Sequence, residues 1–178
     1  MKKEILHVMI FGFIIITANI LVQYRVDLGV MQIPLGVFVY PFTFLFTDIL
    51  SEKYNKEYVL KVVKYGILLA IIPTAMLSTP RIAIASVVTF FIVQFVDVYI
   101  FHHLKEKYFN LWWLRNNVST LVSQFLDTTI FFTLAFAFVL PWEVIFKIML
   151  GNYFVKAVMA IADTPLFYWF AIRRYINE

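Results

Sequence analysis

Cysteine is absent from the 178-residue chain, and glycine and histidine are scarce. Without cysteine the chain forms no disulfides, thiol nucleophiles or cysteine-ligated metal centres. The five glycines form no phosphate-binding loop, and neither H-E-x-x-H nor G-x-S-x-G occurs. His102 and His103 are adjacent, so on a helix they point to different sides, and His7 is the one other histidine. We therefore expect no enzyme activity, no metal site and no cofactor.

Charged residues are also few, at 15% of the chain against a hydrophobic share of 62%. An average soluble domain is about 45–50% apolar. A soluble fold of this size cannot bury so much apolar surface, whereas a lipid bilayer can accept it. The net charge of +4 does not indicate nucleic acid, because the basic residues form short clusters between apolar runs. The composition predicts an integral membrane protein.

Six apolar runs approach the roughly 20 residues that a helix needs to cross a bilayer. The second run is short and contains Pro34 and Pro41, so we expect it to be broken or kinked. The last run is long enough to be tilted. Short connections leave no room for a second domain, so residues 1–178 are predicted to form one all-α, six-helix transmembrane bundle. The runs are Ile5–Tyr24, Ile33–Leu50, Val59–Ser78, Ala83–Leu104, Val118–Leu140 and Val144–Ile172.

Basic residues set the orientation of this bundle. With both termini in the cytoplasm, 11 lysines and arginines lie inside and 3 outside, with Lys156 left in the last span. The positive-inside rule therefore predicts that both termini lie in the cytoplasm. The expected location is a cytoplasmic membrane. The inside set is Lys2, Lys3, Lys53, Lys56, Lys61, Lys64, Lys105, Lys107, Arg115, Arg173 and Arg174; the outside set is Arg25, Arg81 and Lys147.

Four aspartates lie within predicted spans: Asp48, Asp97, Asp127 and Asp163. A charge at the bilayer centre costs about 2.5–3.5 kcal/mol on insertion scales, and such residues usually face the bundle interior. Lys156 lies two turns before Asp163, on the same helix face. A Lys156–Asp163 ion pair that only stabilises the bundle is therefore one interpretation of these charges. A cavity that binds a solute is the other.

Further polar residues follow the aspartates at helical spacing. The fifth span carries a stripe of Asn116, Thr120, Ser123, Gln124 and Asp127, and the fourth carries Ser86, Gln94 and Asp97. The first span contributes Asn19 and Gln23, and the second contributes Asp48 and Glu52 near its cytoplasmic end. Hydrogen bonds between helices account for such stripes in many bundles. Four carboxylates exceed what that role requires, so the stripes favour a solute-binding cavity.

One octamer occurs twice, 30 residues apart. The fourth span reads Q-F-V-D-V-Y-I-F at 94–101, and the fifth reads Q-F-L-D-T-T-I-F at 124–131. Each copy follows an arginine and a serine, Arg81 and Ser86 in one and Arg115 and Ser119 in the other. Adjacent spans run antiparallel, so the copies present the same side chains from opposite directions. Transporters often place their sites at the interface of such repeats.

These residues resemble the signatures of the queuosine precursor transporters, also called the vitamin-uptake-like family. The stretch P-F-T-F-L-F-T-D-I-L-S-E-K-Y-N-K at 41–56 is similar to the family's P-x-T-x-x-x-T-D-x-x-x-E-x-Y-G-K. Asn55 stands in place of the usual glycine, a replacement expected to keep a left-handed turn. Three further motifs match: Arg81–Ser86 with Gln94 and Asp97; L-R-N-N at 114–117 with Ser119, Thr120 and Q-F-L-D-T at 124–128; and Lys156 with D-T-P at 163–165.

The resemblance implies uptake of 7-deazaguanine bases, such as the 7-cyano and 7-aminomethyl precursors of queuosine. A carboxylate accepts the adjacent N–H groups of such a base, an amide meets its carbonyl edge, and an aromatic ring stacks on its face. We expect Asp127 and Gln124 to bind the base edge, with Asp97 and Gln94 completing the cavity. The remaining candidate binding residues are Asp48, Glu52, Arg115, Asn116, Ser119, Asp163, Lys156, Asn19 and Gln23.

Within this set, Asp48 and Glu52 are expected near the cytoplasmic mouth, where Arg115 and Asn116 are available to pair with them. Tyr99, Phe131 and Phe167 follow the aspartates by about one turn, and ordinary packing is the expected role of each ring. A buried carboxylate is also able to carry a proton. The sequence leaves open whether protons drive transport and whether a homodimer forms.

Two other functions compete with that of a transporter acting alone. A substrate-binding subunit of an energy-coupling-factor transporter is also a small six-helix protein, but A-x-x-x-A, which such subunits often use to contact their partner, does not occur here. An aspartyl membrane protease is disfavoured because no glycine precedes any of the four aspartates. The first rival remains the alternative.

Overall fold

The computed structural model describes residues 2–21, 24–27, 32–77 and 79–173, with the backbone alone for 25–27 and 32–34. Within these residues the chain is almost entirely helical. A two-stranded antiparallel ribbon that pairs Arg25 with Pro34 is the exception. In chain order the elements are α1 (Lys2–Leu21), β1 (Arg25–Asp27), β2 (Gln32–Pro34), α2 (Gly36–Val39), α3 (Pro41–Lys53), α4 (Lys56–Leu77), α5 (Pro80–Lys107), α6 (Trp112–Phe136), α7 (Trp142–Ala162), α8 (Thr164–Phe167) and a π-helical turn (Tyr168–Ile172).

Five segments of the described chain are long and apolar enough to cross a membrane. They are α1, α4, α5, α6 and the last segment, Trp142–Ile172. Most ends of these segments lie within a few residues of the ends of a predicted run. The first, third, fourth, fifth and sixth runs are thereby confirmed as helices long enough to cross a membrane. The protein is therefore a multi-pass membrane protein.

The second predicted run is not one long helix. Its first residues form β2, and the remainder is divided into α2 and α3 at Tyr40. The division follows from Pro41, which has no N–H to donate to a carbonyl in the preceding turn. Tyr40 itself keeps right-handed helical angles, φ −57° and ψ −41°. The predicted break is confirmed, and α3 with its 13 residues is too short to cross a bilayer alone.

The junction between α3 and α4 corrects one expectation. Asn55 does not adopt a left-handed turn, because Phe138 is the one non-glycine residue with positive φ in the described chain. Instead the Asn55 side chain accepts a hydrogen bond of 3.1 Å from the backbone N–H of Tyr58. It thereby satisfies one of the unpaired donors at the start of α4.

Large apolar side chains lie on the outside of the bundle, as expected for a protein surrounded by lipid. Met76 is 81% exposed, and Ile72, Leu150 and Phe154 are each 70% exposed. Helices α1 and α4 approach closely at Gly66, where an added Cβ would lie 2.5 Å from the ring of Phe11. The interior contains an apolar cluster around Phe11 and, next to it, many buried polar side chains.

Candidate functional site

Polar side chains fill the region where α3, α5 and α6 meet, and we call them the polar layer. Each is at most 5% exposed. Every member of the two polar stripes is buried except Ser86, which is partly exposed. The polar layer consists of Thr43, Thr47, Asp48 and Ser51 on α3, Thr89, Gln94 and Asp97 on α5, and Ser119, Thr120, Ser123, Gln124, Asp127 and Thr128 on α6.

Lys156 on α7 reaches into the polar layer and pairs with Asp127. Its Nζ lies 2.6 Å from Asp127 Oδ2, and the two side chains are 9% and 5% exposed. The Tyr40 hydroxyl donates to Asp127 Oδ1 over 3.4 Å, and Lys156 Nζ lies 5.0 Å from the centre of the Tyr40 ring. The suggested Lys156–Asp163 ion pair is therefore wrong. The Lys156 side chain extends toward α6 and pairs with the buried carboxylate of Asp127.

The second ion pair lies at the end of α3. Arg115 donates from Nε and Nη2 to the two carboxylate oxygens of Glu52, each over 2.8 Å, and from Nη1 to the carbonyl of Phe109 over 2.7 Å. Lys105 donates to the carbonyls of Ser51 and Glu52 over 2.9 and 2.5 Å. The predicted pairing of Arg115 with Glu52 is thus observed. Together, the contacts of Arg115 and Lys105 hold the end of α3 against α6 and α5.

The two glutamines of the repeated octamer have different surroundings. Gln94 donates to Thr43 Oγ1 and accepts from Thr47 Oγ1, each over 3.3 Å. Gln124 is 1% exposed, and neither its amide nitrogen nor its amide oxygen has a hydrogen-bond partner. A buried amide without partners costs roughly 1–3 kcal/mol, so its presence in the polar layer calls for a reason other than stability.

The two aspartates of the octamer differ in the same way. Asp127 has a cationic partner, whereas both carboxyl oxygens of Asp97 lack a hydrogen-bond partner. Asp48 accepts one hydrogen bond, from Thr120 Oγ1 over 3.0 Å, and its other oxygen has none. Equal positions in the sequence repeat therefore carry unequal charge environments, because α7 supplies a lysine to one copy alone.

Other predicted site residues lie outside the polar layer. Asn19 donates to Thr74 Oγ1 over 2.6 Å and, with Tyr40 and Ser86, lines a partly open pocket among α1, α4 and α5. Asn116 is buried at the start of α6, where its carbonyl accepts from Ser119 Oγ over 3.3 Å. Gln23 lies outside the described residues.

Asp163 is 6% exposed at the junction of α7 and α8. Its neighbour Thr164 donates to Asn117 Oδ1 over 2.9 Å, so this junction packs against the same end of α6 as the Arg115 pair. Asp163 is therefore buried as expected but belongs to a different part of the bundle from Lys156 and Asp127.

Tyr40 is the aromatic residue at the site, and the sequence did not single it out. Tyr99 is 52% exposed beneath Lys56, and Phe167 is buried between Phe101 and Trp112. Tyr40 instead contacts both Asp127 and Lys156 and also faces the pocket near Asn19. Its position directly before Pro41, at the division between α2 and α3, was the available signal.

Known proteins resemble the chain along most of its length. The sequence profile of the family described as "Putative vitamin uptake transporter" matches residues 34–79 and 72–170. A Bacillus subtilis (strain 168) protein named "Probable queuosine precursor transporter" is 31% identical over 182 aligned positions, covering 88% of this chain and 80% of that protein. The chain belongs to the queuosine precursor transporter family.

A second member of this family, the "Queuosine precursor transporter" of Escherichia coli (strain K12), is 26% identical over 155 aligned positions, covering 75% of this chain and 69% of that protein. No solved structure matches the chain. Membership of a family of transporters confirms the prediction that the protein is not an enzyme.

Proposed function

We propose that the protein is a membrane transporter that takes up queuosine precursors, 7-deazaguanine bases such as the 7-cyano and 7-aminomethyl compounds. The names of both relatives support the solute class. The observation that carries the proposal is the unpartnered Gln124 beside the Lys156–Asp127 pair. A guanine-like edge presents donors and a carbonyl side by side, which an amide and a carboxylate complement.

Binding would proceed from groups already in place. Gln124 and Asp127 lie one turn apart on α6, so both face the same part of the polar layer. Asp127 Oδ1 receives a long hydrogen bond of 3.4 Å from Tyr40, which a base N–H is able to replace. The Tyr40 ring, which lies against Lys156 and Asp127, is the aromatic surface available to stack on the base. Gln94 is held by Thr43 and Thr47 of α3.

Replacing Gln124 tests this assignment. Because its amide is unpartnered, Gln124→Met is expected to leave the stability of the protein unchanged or raised while uptake is lost. Gln94→Met is the matched control, since it removes two hydrogen bonds and should lower stability. Uptake is measured as queuosine in the tRNA of bacteria that lack both precursor synthesis and their own transporter and are fed trace precursor.

Two results would count against the proposal. Wild-type protein that is present in the membrane but restores no queuosine would reject the solute class. Gln124→Met that restores queuosine at the wild-type rate would reject the site. Uptake that requires co-purifying ATPase subunits would instead support the energy-coupling-factor alternative.

We further propose that the bundle has six spans, with both termini in the cytoplasm. The 18 residues from Gly36 to Lys53 are helical apart from Tyr40, which itself keeps helical angles, so they extend about 27 Å at 1.5 Å per residue. This nearly matches the hydrocarbon thickness of about 30 Å. The charge asymmetry of the sequence supports the orientation.

The natural lack of cysteine makes this topology easy to test. Phe109, 71% exposed between α5 and α6, and Phe138, fully exposed between α6 and α7, are suitable sites for single cysteines. A membrane-impermeant thiol reagent should label Phe138→Cys from outside intact cells and Phe109→Cys after the cells are opened. The reverse pattern would overturn the orientation.

A further inference from the structure

Asp48 and Asp97 form a second group in the polar layer, separate from the Lys156–Asp127 pair. Both side chains are fully buried, and their carboxyl groups face each other across α3 and α5. Hydroxyl groups surround them, from Thr47, Ser119, Thr120 and Ser123. We call these six side chains the oxygen cluster.

Several polar atoms of the oxygen cluster form no hydrogen bond. Thr120 donates to one oxygen of Asp48 over 3.0 Å. The other oxygen of Asp48, both oxygens of Asp97 and the hydroxyl of Ser123 have no hydrogen-bond partner. Four buried polar atoms on three neighbouring side chains are thus unpartnered at one point, which is an arrangement that a bound cation would complete.

The cationic side chains near the oxygen cluster are engaged elsewhere. Arg115 binds both oxygens of Glu52, which lies one turn beyond Asp48, and Lys105 binds backbone carbonyls at the end of α3. Lys156 on α7 is paired with Asp127. Within the described chain, neither Asp48 nor Asp97 forms an ion pair with a lysine or arginine. Two neighbouring carboxylates in a buried site cannot both stay ionised without a compensating cation.

The chemistry of the ligands selects the kind of cation. Carboxylate and hydroxyl oxygens are hard donors, which suit a proton, an alkali cation or a hard divalent ion rather than a soft metal. In the described residues no three or more histidine, aspartate or glutamate side chains meet to hold a metal ion. Buried carboxylates of this kind serve as proton carriers in pumps and transporters.

We propose that the oxygen cluster binds one monovalent cation, a proton shared by the two carboxyl groups or a sodium ion among their oxygens, and that its movement drives uptake. The statement that cation movement drives uptake rests on the proposed function. Ser123 lies against Asp97, and the next residue in the chain, Gln124, belongs to the proposed solute site. Occupancy of the cluster is therefore expected to affect the wall of the solute site.

Cation binding is measured first, without solute. Purified protein is heated in sodium chloride and in choline chloride at equal ionic strength, and across pH in choline chloride. Sodium binding predicts a higher Tm in sodium chloride, and proton binding predicts a Tm that depends on pH. The sodium effect should disappear in Asp97→Asn and in Asp48→Asn, and a proton effect should appear as a pH dependence of Tm that differs between wild type and these variants, since asparagine resembles the protonated acid. Both effects should persist in Glu143→Gln, an exposed position on α7.

Ser123→Ala distinguishes sodium binding from proton binding. It also replaces the aspartate variants as the test if those variants fold poorly. It removes an unpartnered hydroxyl, so the fold should survive. The sodium effect should weaken in this variant, whereas a proton effect should remain. Wild-type protein with neither a sodium-dependent Tm nor a pH dependence that differs from Asp97→Asn would overturn the cation site.

Transport in proteoliposomes then tests coupling. Wild-type protein should accumulate the 7-cyano base above equilibrium under an imposed sodium or pH gradient, and Asp97→Asn should lose accumulation while retaining exchange of labelled for unlabelled base. Accumulation by Asp97→Asn equal to wild type, or exchange by wild type without accumulation under either gradient, would overturn coupling. Absence of exchange in the wild type would instead reject the proposed function and leave the Tm measurements to decide the cation site.

Discussion

The Lys156–Asp127 pair is predicted to be one of the strongest single contacts in the bundle. Its charged atoms are 2.6 Å apart, and both side chains are nearly inaccessible. At an effective dielectric constant near 20, two unit charges at this distance attract each other by about 6 kcal/mol. The cost of desolvating both ions offsets much of this attraction. Removing one partner leaves the other charge buried, and that is the larger effect.

We expect Lys156→Met to lower the free energy of unfolding by about 3–5 kcal/mol, because the buried carboxyl group of Asp127 then loses its cationic partner. Asp127→Asn should cost a similar amount. The double variant should lose less than the sum of the two, since neither charge remains. Unfolding is followed in mixed detergent micelles by tryptophan fluorescence, with the fraction folded checked by size-exclusion chromatography.

The chain offers a matched control for burial. Lys61 and Glu4 form an ion pair of nearly equal length, 2.7 Å, but with side chains 53% and 24% exposed. Lys61→Met should therefore have a much smaller effect, because water compensates the remaining glutamate. Equal losses for Lys156→Met and Lys61→Met, or strictly additive losses in the double variant, would refute the reasoning that burial makes the first pair strong.

Two further predictions concern the ends and the packing of the bundle. Arg115→Met should lower stability by up to about 3–5 kcal/mol, because the buried Glu52 then keeps only Lys105, whose Nζ lies 3.9 Å from Glu52 Oε1. Adding Glu52→Gln should restore part of the loss in the same unfolding assay, and no recovery would contradict the pairing. Gly66→Ala should be less stable than Gly151→Ala by about 1–3 kcal/mol, because its Cβ meets the buried ring of Phe11 at 2.5 Å while nothing lies within 4 Å at Gly151. Both changes gain the same helix propensity, so equal stabilities would show that α1 and α4 do not approach as closely as described.

The sequence by itself determined most of the helical architecture. Runs of about 20 apolar residues have one stable form in lipid, a helix that satisfies its own backbone, so five span-length helices follow from hydropathy alone. The break at Pro41 follows equally directly, because proline lacks the N–H that a continuous helix requires. Spacing along α6 also predicted which of its faces is buried, since polar residues avoid lipid.

Tertiary structure alone decided which charges meet. By sequence spacing, Lys156 lies on the same helix face as Asp163, yet its side chain pairs with Asp127 on α6. The packing of α7 against α6 sets the distance between Lys156 and Asp127, and sequence spacing does not. The same packing gives Asp127 a partner and leaves Asp97 without one, although the octamers around them are nearly identical. The site also includes Tyr40 because of packing: the break before Pro41 was readable from the sequence, but the contacts of the Tyr40 side chain with Asp127 and Lys156 were not.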